Sequence, residues 1–168
     1  MIRSRAAGAL AVSLLAVLPT AGCYQGFDDT VNTQGPTGNG TDFLVGGDIK
    51  VQDATLVTGP EGQSGVASLV MTLINEGELP DALVAVSTEP ATTSSQRSPI
   101  AVTPGAAVKV GGPAATDQVV LTGLKVTPGS YATVTVSFER AGSETRRVAV
   151  VPAAGYYEGY GPAAALTK

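Results

Sequence analysis

"ATVTVSFE", residues 132–139, alternates without a break. Ala132, Val134, Val136 and Phe138 fall on one side of an extended chain, and Thr133, Thr135, Ser137 and Glu139 on the other. A period of two with the apolar residues on a single side marks a half-buried strand, because successive side chains point to opposite faces. The same reading extends outward along the chain. Residues 66–75 place Ala67, Leu69, Met71 and Leu73 on one face, while Val70 and Ile74 make the other face partly apolar, which predicts a central strand. Further strands are expected at 48–57, 82–88, 106–110, 118–122 and 145–151.

The separators carry turn chemistry. Thr103-Pro104-Gly105-Ala106 and Thr127-Pro128-Gly129-Ser130 each put Pro and then Gly at the two central positions of a type II turn. Arg140-Ala141-Gly142-Ser143 reads as a hairpin loop, and Asn75-Glu76-Gly77-Glu78-Leu79-Pro80 joins two more strands. Arg146 and Arg147, on an otherwise apolar strand, are expected on a solvent-facing side near a sheet edge. No stretch keeps a helical period. About seven to eight short strands at this spacing predict an all-β fold, a β-sandwich.

The first 22 residues read as a targeting segment. Arg3 and Arg5 are followed by an apolar run from Ala6 to Leu18, which suits a signal peptide and is too short to span a bilayer as a helix. "LPTAGC", residues 18–23, then brings the single cysteine of the chain. The pattern resembles the bacterial lipobox, with Thr20 where Leu is usual. The resemblance implies that Cys23 carries diacylglycerol and becomes the mature N-terminus. Lipidation also accounts for an odd thiol in a secreted protein, and several acyl chains on one residue suffice for stable anchoring. The expected location is extracytoplasmic, held to the cell membrane by lipid.

Cleavage would leave 168 − 22 = 146 residues, and loss of Arg3 and Arg5 would take the net charge from −4 to −6. That charge argues against nucleic acid and anionic headgroups as partners. Residues 23–47, rich in Gly, Thr, Asn and Asp, are expected to be a flexible tether, 48–152 the folded domain, and 153–168 a flexible tail. The tail holds Tyr156, Tyr157 and Tyr160, a possible partner contact, since Tyr joins apolar area to a polar tip.

"VASLVMTLINEGELPDALVAVST", 66–88, resembles the part of PCu(A)C-type periplasmic copper chaperones where a strand ends in an Asn-x-Gly turn before a "D-x-L-V-x-x-S" strand. "PGAAVKV…QVVLTGLK…GSYATVTVSFERAG", 104–142, resembles that family's second half. Actinobacterial LpqE-like lipoproteins share the layout of lipobox, spacer and sandwich. The resemblance covers about 48–151 and implies a cupredoxin-like or immunoglobulin-like sandwich. The family binds Cu(I) through His and Met. In register, the His of its His-x-Met falls at Gln118 and the Met at Val120, and its earlier His-containing segment falls around Ser94–Ser98. The chain has no His at all, and its two Met are Met1 and Met71, the latter on an expected core face. Cu(I) prefers soft sulfur or imidazole ligands, so the resemblance carries the fold and not the copper site, and no cofactor is expected.

The absence of His also excludes Ser-His-Asp and Cys-His catalysis and His-based zinc sites. Glu76, Glu78 and Asp81 could hold Ca²⁺ through oxygen, but a solvated acidic turn is the plainer reading. Paired carboxylates can hydrolyse glycosides, yet a chain with 5% aromatics offers little for stacking sugars. The expectation is a non-catalytic binding or accessory module of the cell envelope, with an unknown envelope protein or ligand as partner. The alternative is a copper-handling protein whose site is degenerate or completed by a partner.

Overall fold

The strand found at "ATVTVSFE" runs from Tyr131 to Phe138 and buries Ala132, Val134, Val136 and Phe138, the four residues that the alternation selects. The computed structural model describes residues 40–59, 65–89, 93–94 and 99–162. In chain order the strands are β1 Thr41–Val45, β2 Ile49–Thr58, β3 Val66–Asn75, β4 Asp81–Glu89, β5 Thr93–Ser94, β6 Ile100–Val102, β7 Ala107–Val110, β8 Val119–Thr122, β9 Tyr131–Phe138 and β10 Gly142–Pro152. They pair in the order β5-β8-β3-β2-β10-β9-β4-β6, with β1 added to β2 and β7 to β3. Every pairing between strands is antiparallel except β2 with β10. The sheet curls until β4 approaches β5 and β8. The result is a nearly closed all-β sandwich of cupredoxin-like kind.

One apolar core fills it. Leu56, Leu69 and Val119 lie side by side across β2, β3 and β8 and are fully buried. Leu83, Val86, Val136, Phe138, Val148 and Val150 meet them from the other half. Each such side chain contributes about 1.5–3 kcal/mol on burial, and no disulfide is available to a chain with one cysteine.

All seven strands expected from the sequence are present, with ends shifted by a residue or so and β10 longer at its start. Three strands lie outside those expectations. β1 falls within the range assigned to the tether, and pairs with β2 from Thr41 to Val45. β5 and β6 are only two and three residues long, too short for an alternation to register. The solvent-facing position near a sheet edge expected for Arg146 and Arg147 holds, because here β10 is laddered to β9 on one side and its pairing with β2 begins only at Ala149. Both arginines are exposed, and their guanidinium groups lie over rings, Arg146 5.8 Å from the centroid of Phe43 and Arg147 5.1 Å from that of Tyr131.

The turns match their chemistry. Gly105 and Gly129 take φ of 72° and 86°, and the N–H groups of Ala106 and Ser130 each donate to the carbonyl three residues back at 3.0 Å. The turn after β3 is knotted by Asn75, which is 1% exposed. Its Oδ1 accepts from Gly77 N at 2.9 Å, and its Nδ2 donates to Leu79 O at 2.8 Å and Val102 O at 2.9 Å. An Asn side chain that substitutes for backbone in this way fixes a turn and satisfies itself in a dry place.

Candidate functional site

Strands β2, β3 and β8 carry a second row beside the core row. Val57, Ser68 and Val120 are direct cross-strand partners, so they share the face opposite to Leu56, Leu69 and Val119. An outer face of a sandwich ordinarily meets water, yet these three are 0%, 0% and 5% exposed. The closing segment after β10 and the loop after β7 lie on this face. Ala153 N donates to Thr58 O at 3.2 Å, which starts the segment back over β2. Residues 155–157 form a 3-10 turn. Further on, a Cβ at Gly161 would stand 2.8 Å from Ala153 Cβ and 3.3 Å from Thr58 O, and a Cβ at Gly112 would stand 2.5 Å from the ring of Tyr160. The segment is therefore seated on the domain at both ends. The flexible tail expected at 153–168 is corrected over 153–162; residues 163–168 lie outside the described residues, as do Cys23 and the targeting segment.

Beside this cover lies an open groove of about 470 Å³. Val70 and Thr72 of β3 and Lys109 of β7 form its floor, with Asp53 on one flank and Gly111-Gly112 on the other side. Thr72 and Lys109 are cross-strand partners, and Asp53 occupies a bulge of β2 between Gln52 and Thr55. Asp53 takes φ 55°, a left-handed conformation among the described non-glycine residues. Asp tolerates that region better than most side chains, and Asp42 Oδ1 accepts from Asp53 N at 2.8 Å to hold the bulge.

Tyr156, Tyr157 and Tyr160 wall the groove. The structure brings all three together. Tyr156 and Tyr160 are nearly parallel, 17° apart with centroids 6.4 Å apart. Tyr157 stands edge-on to both, at 5.1 Å and 5.9 Å. Aromatic pairs of this geometry gain about 0.5–1.5 kcal/mol beyond burial, so each ring orients the others. Tyr156 is still 78% exposed.

Gln118 and Val120, which the sequence resemblance puts in register with that family's His and Met, lie close by. Gln118 Nε2 donates to Gly112 O at 2.9 Å, and Val120 is buried beneath the cover. Of the stretch 94–98, only Ser94 lies within the described residues. Met71 is 2% exposed and belongs to the core cluster.

The acidic turn is partly structural. Asp81 is buried, and its carboxylate accepts from the N–H groups of Ala82, Arg140 and Ala141 at 2.7–2.9 Å. It pins the β9–β10 hairpin, so the solvated turn expected from sequence holds for Glu76 and Glu78 alone. Among the described residues no group of three or more Asp, Glu, His or Cys is placed to hold a metal. Asp53, Lys109 and Gly112 are groove residues that sequence reading misses. The Gly111-Gly112-Pro113 run was a visible turn signal, but nothing local distinguishes Asp53 or Lys109.

No protein-family model and no curated protein matches the sequence. Solved structures do match. The copper-bound PCuAC domain from PmoF2 is 24% identical, with a TM-score of 0.56, over 67% of this chain and 98% of that one. The apo PCuAC domain from PmoF1 is 24% identical, with a TM-score of 0.58, over 67% and 99%. The apo PmoF2 PCuAC domain gives 24% and 0.57, over 68% and 98%. The chain thus has a PCuAC-like fold, with the Tyr-walled groove on the outer face of its sheet.

Proposed function

We propose that the chain is a lipid-anchored envelope protein, akin to actinobacterial LpqE-like lipoproteins, whose PCuAC-like sandwich is a non-catalytic binding module without a Cu(I) site. One observation carries this reading: the positions in register with the family's His and Met do structural work. Gln118 donates its amide N–H to Gly112 O, and Val120 is 5% exposed in the row that runs through Ser68 and Val57. No imidazole exists elsewhere to replace them, and an amide oxygen is a hard donor poorly matched to Cu(I). Anchoring at Cys23 rests on the lipobox resemblance.

The test is competition for Cu(I) against a chromophoric chelator. The protein is expected to leave the metal with the chelator. Transfer of one equivalent would refute the reading and favour the copper-handling alternative, to which the copper-bound structural neighbour lends weight. For the anchor, Cys23→Ala is expected to release the protein into the medium, and unchanged membrane retention would overturn that part.

A further inference from the structure

We propose that the groove beside Tyr156 binds a neutral oligosaccharide of two to three sugar units. This deepens the binding-module reading and rests on it. The ligand class follows from what the walls accept and refuse. Tyr156 offers a broad apolar face that is 78% exposed, and Tyr157 and Tyr160 hold it in a fixed orientation. A preoriented exposed ring suits a ligand with a flat C–H face, and it gains contact area at low entropic cost. Asp53 and Lys109 line the same groove, with Thr72 on the strand between theirs. The two charges are of opposite sign, so a free anion meets Asp53 and a free cation meets Lys109. Both charges serve well as hydrogen-bond partners for vicinal hydroxyls, since a carboxylate accepts and an ammonium donates more strongly than neutral groups.

The shape agrees. About 470 Å³, open to solvent along one side, is near the low end of small-molecule sites. Glycine at 111 and 112 keeps that flank low. Side chains there would run into Leu69 O, Val70 or the ring of Tyr160. Asp53 adds an independent sign. It is a non-glycine residue held in left-handed backbone at a bulge that borders the groove, and bulges and such backbone conformations are common beside functional sites. The scarcity of aromatics across the whole chain therefore misleads, because three of its five Tyr meet on one groove.

The full chain, in a detergent without a sugar headgroup, is titrated with maltotriose, cellotriose, mannotriose and galactotriose while Tyr emission is followed. The chain has no Trp, so the signal comes from Tyr. Saturable binding of at least one trisaccharide is expected, with Tyr156→Ala weakening it about tenfold or more, equivalent to 1.4 kcal/mol. Asp53→Asn keeps the left-handed residue type and is expected to weaken it less. Tyr131→Phe, on β9 and outside the groove, is expected to leave binding unchanged. Saturation by none of the four, binding indifferent to Tyr156→Ala, or stronger binding of choline or a hexose phosphate would each overturn the proposal. The Cu(I) competition is read separately. Copper transfer would sink the binding-module reading whatever the sugars do, and sugar failure alone leaves that reading standing.

Discussion

Leu56–Leu69–Val119 and Val57–Ser68–Val120 are neighbouring rows on the same three strands, one residue apart, and both are buried. They face different surroundings. The inner row faces the opposing half of the sandwich and is made of apolar side chains that belong to the common core. The outer row lies on the opposite face, where the 111–118 loop and the closing segment are seated. Its middle member, Ser68, has a buried hydroxyl with no hydrogen-bond partner. The inner row is therefore needed for folding, whereas the outer row measures how firmly an accessory cover sits. The outer row also contains Val120, the position that the sequence resemblance equates with the family's Met.

Substitutions can set the two rows against each other. Leu69→Ala in the inner row is expected to cost about 2–5 kcal/mol, the transfer loss plus the cavity that a close-packed core cannot collapse. Urea denaturation checks it, and a loss below 1 kcal/mol would mean that the inner row is not the core. Gly112→Val strikes the cover. A β-branched residue there meets both positive φ and the Tyr160 ring, for an expected loss of about 2 kcal/mol. Proteolysis should then begin within 153–162 while the sandwich persists. Cleavage unchanged from wild type would show that Gly112 does not seat the segment.

Gly129→Val separates conformational strain from collision. Gly129 has φ 86°, and no atom stands within 4 Å of a Cβ there. Only the backbone penalty remains, about 1 kcal/mol, and it should fall on global stability without exposing the closing segment. An unchanged melting temperature would count against the turn as a determinant of β9. The smallest effect is expected from Ser68→Ala. An unpaired buried hydroxyl costs free energy that Ala does not, so stability should stay level or rise by up to about 1 kcal/mol. Destabilisation would mean that the hydroxyl has a partner, such as an ordered water.

How much of this was legible depends on how local its causes are. β9 could be read from eight residues because one of its faces is buried and the other wet. The two Pro-Gly turns were legible because their φ demands are local. β1 was not, because "TDFLV" follows a Gly- and Asn-rich stretch and becomes a strand by pairing with β2. The run "AAGYYEGYG" shows neither a period of two nor one of 3.6. Its course is set by Thr58 and Gly112, both far away in sequence. The three Tyr were recognisable as surface-active residues, but their groove was not. Asp53 and Lys109 reach it through a bulge and a cross-strand pairing that leave no trace in the sequence near them.

The parallel pairing of β10 with β2 bears on how the chain is made. Ala149 to Pro152 lie beside Thr55 to Thr58, and the Thr58 hydroxyl reaches Val151 O across a separation of 93 residues. Loop closure over that distance is paid before its contacts are gained, so the sandwich folds slowly for its size. Until β10 docks, Thr55 to Thr58 of β2 lack their partner on that side and the barrel cannot close. The stretch of β2 left unpaired in the meantime is open to edge-to-edge association, so partly folded forms of the domain are prone to aggregate.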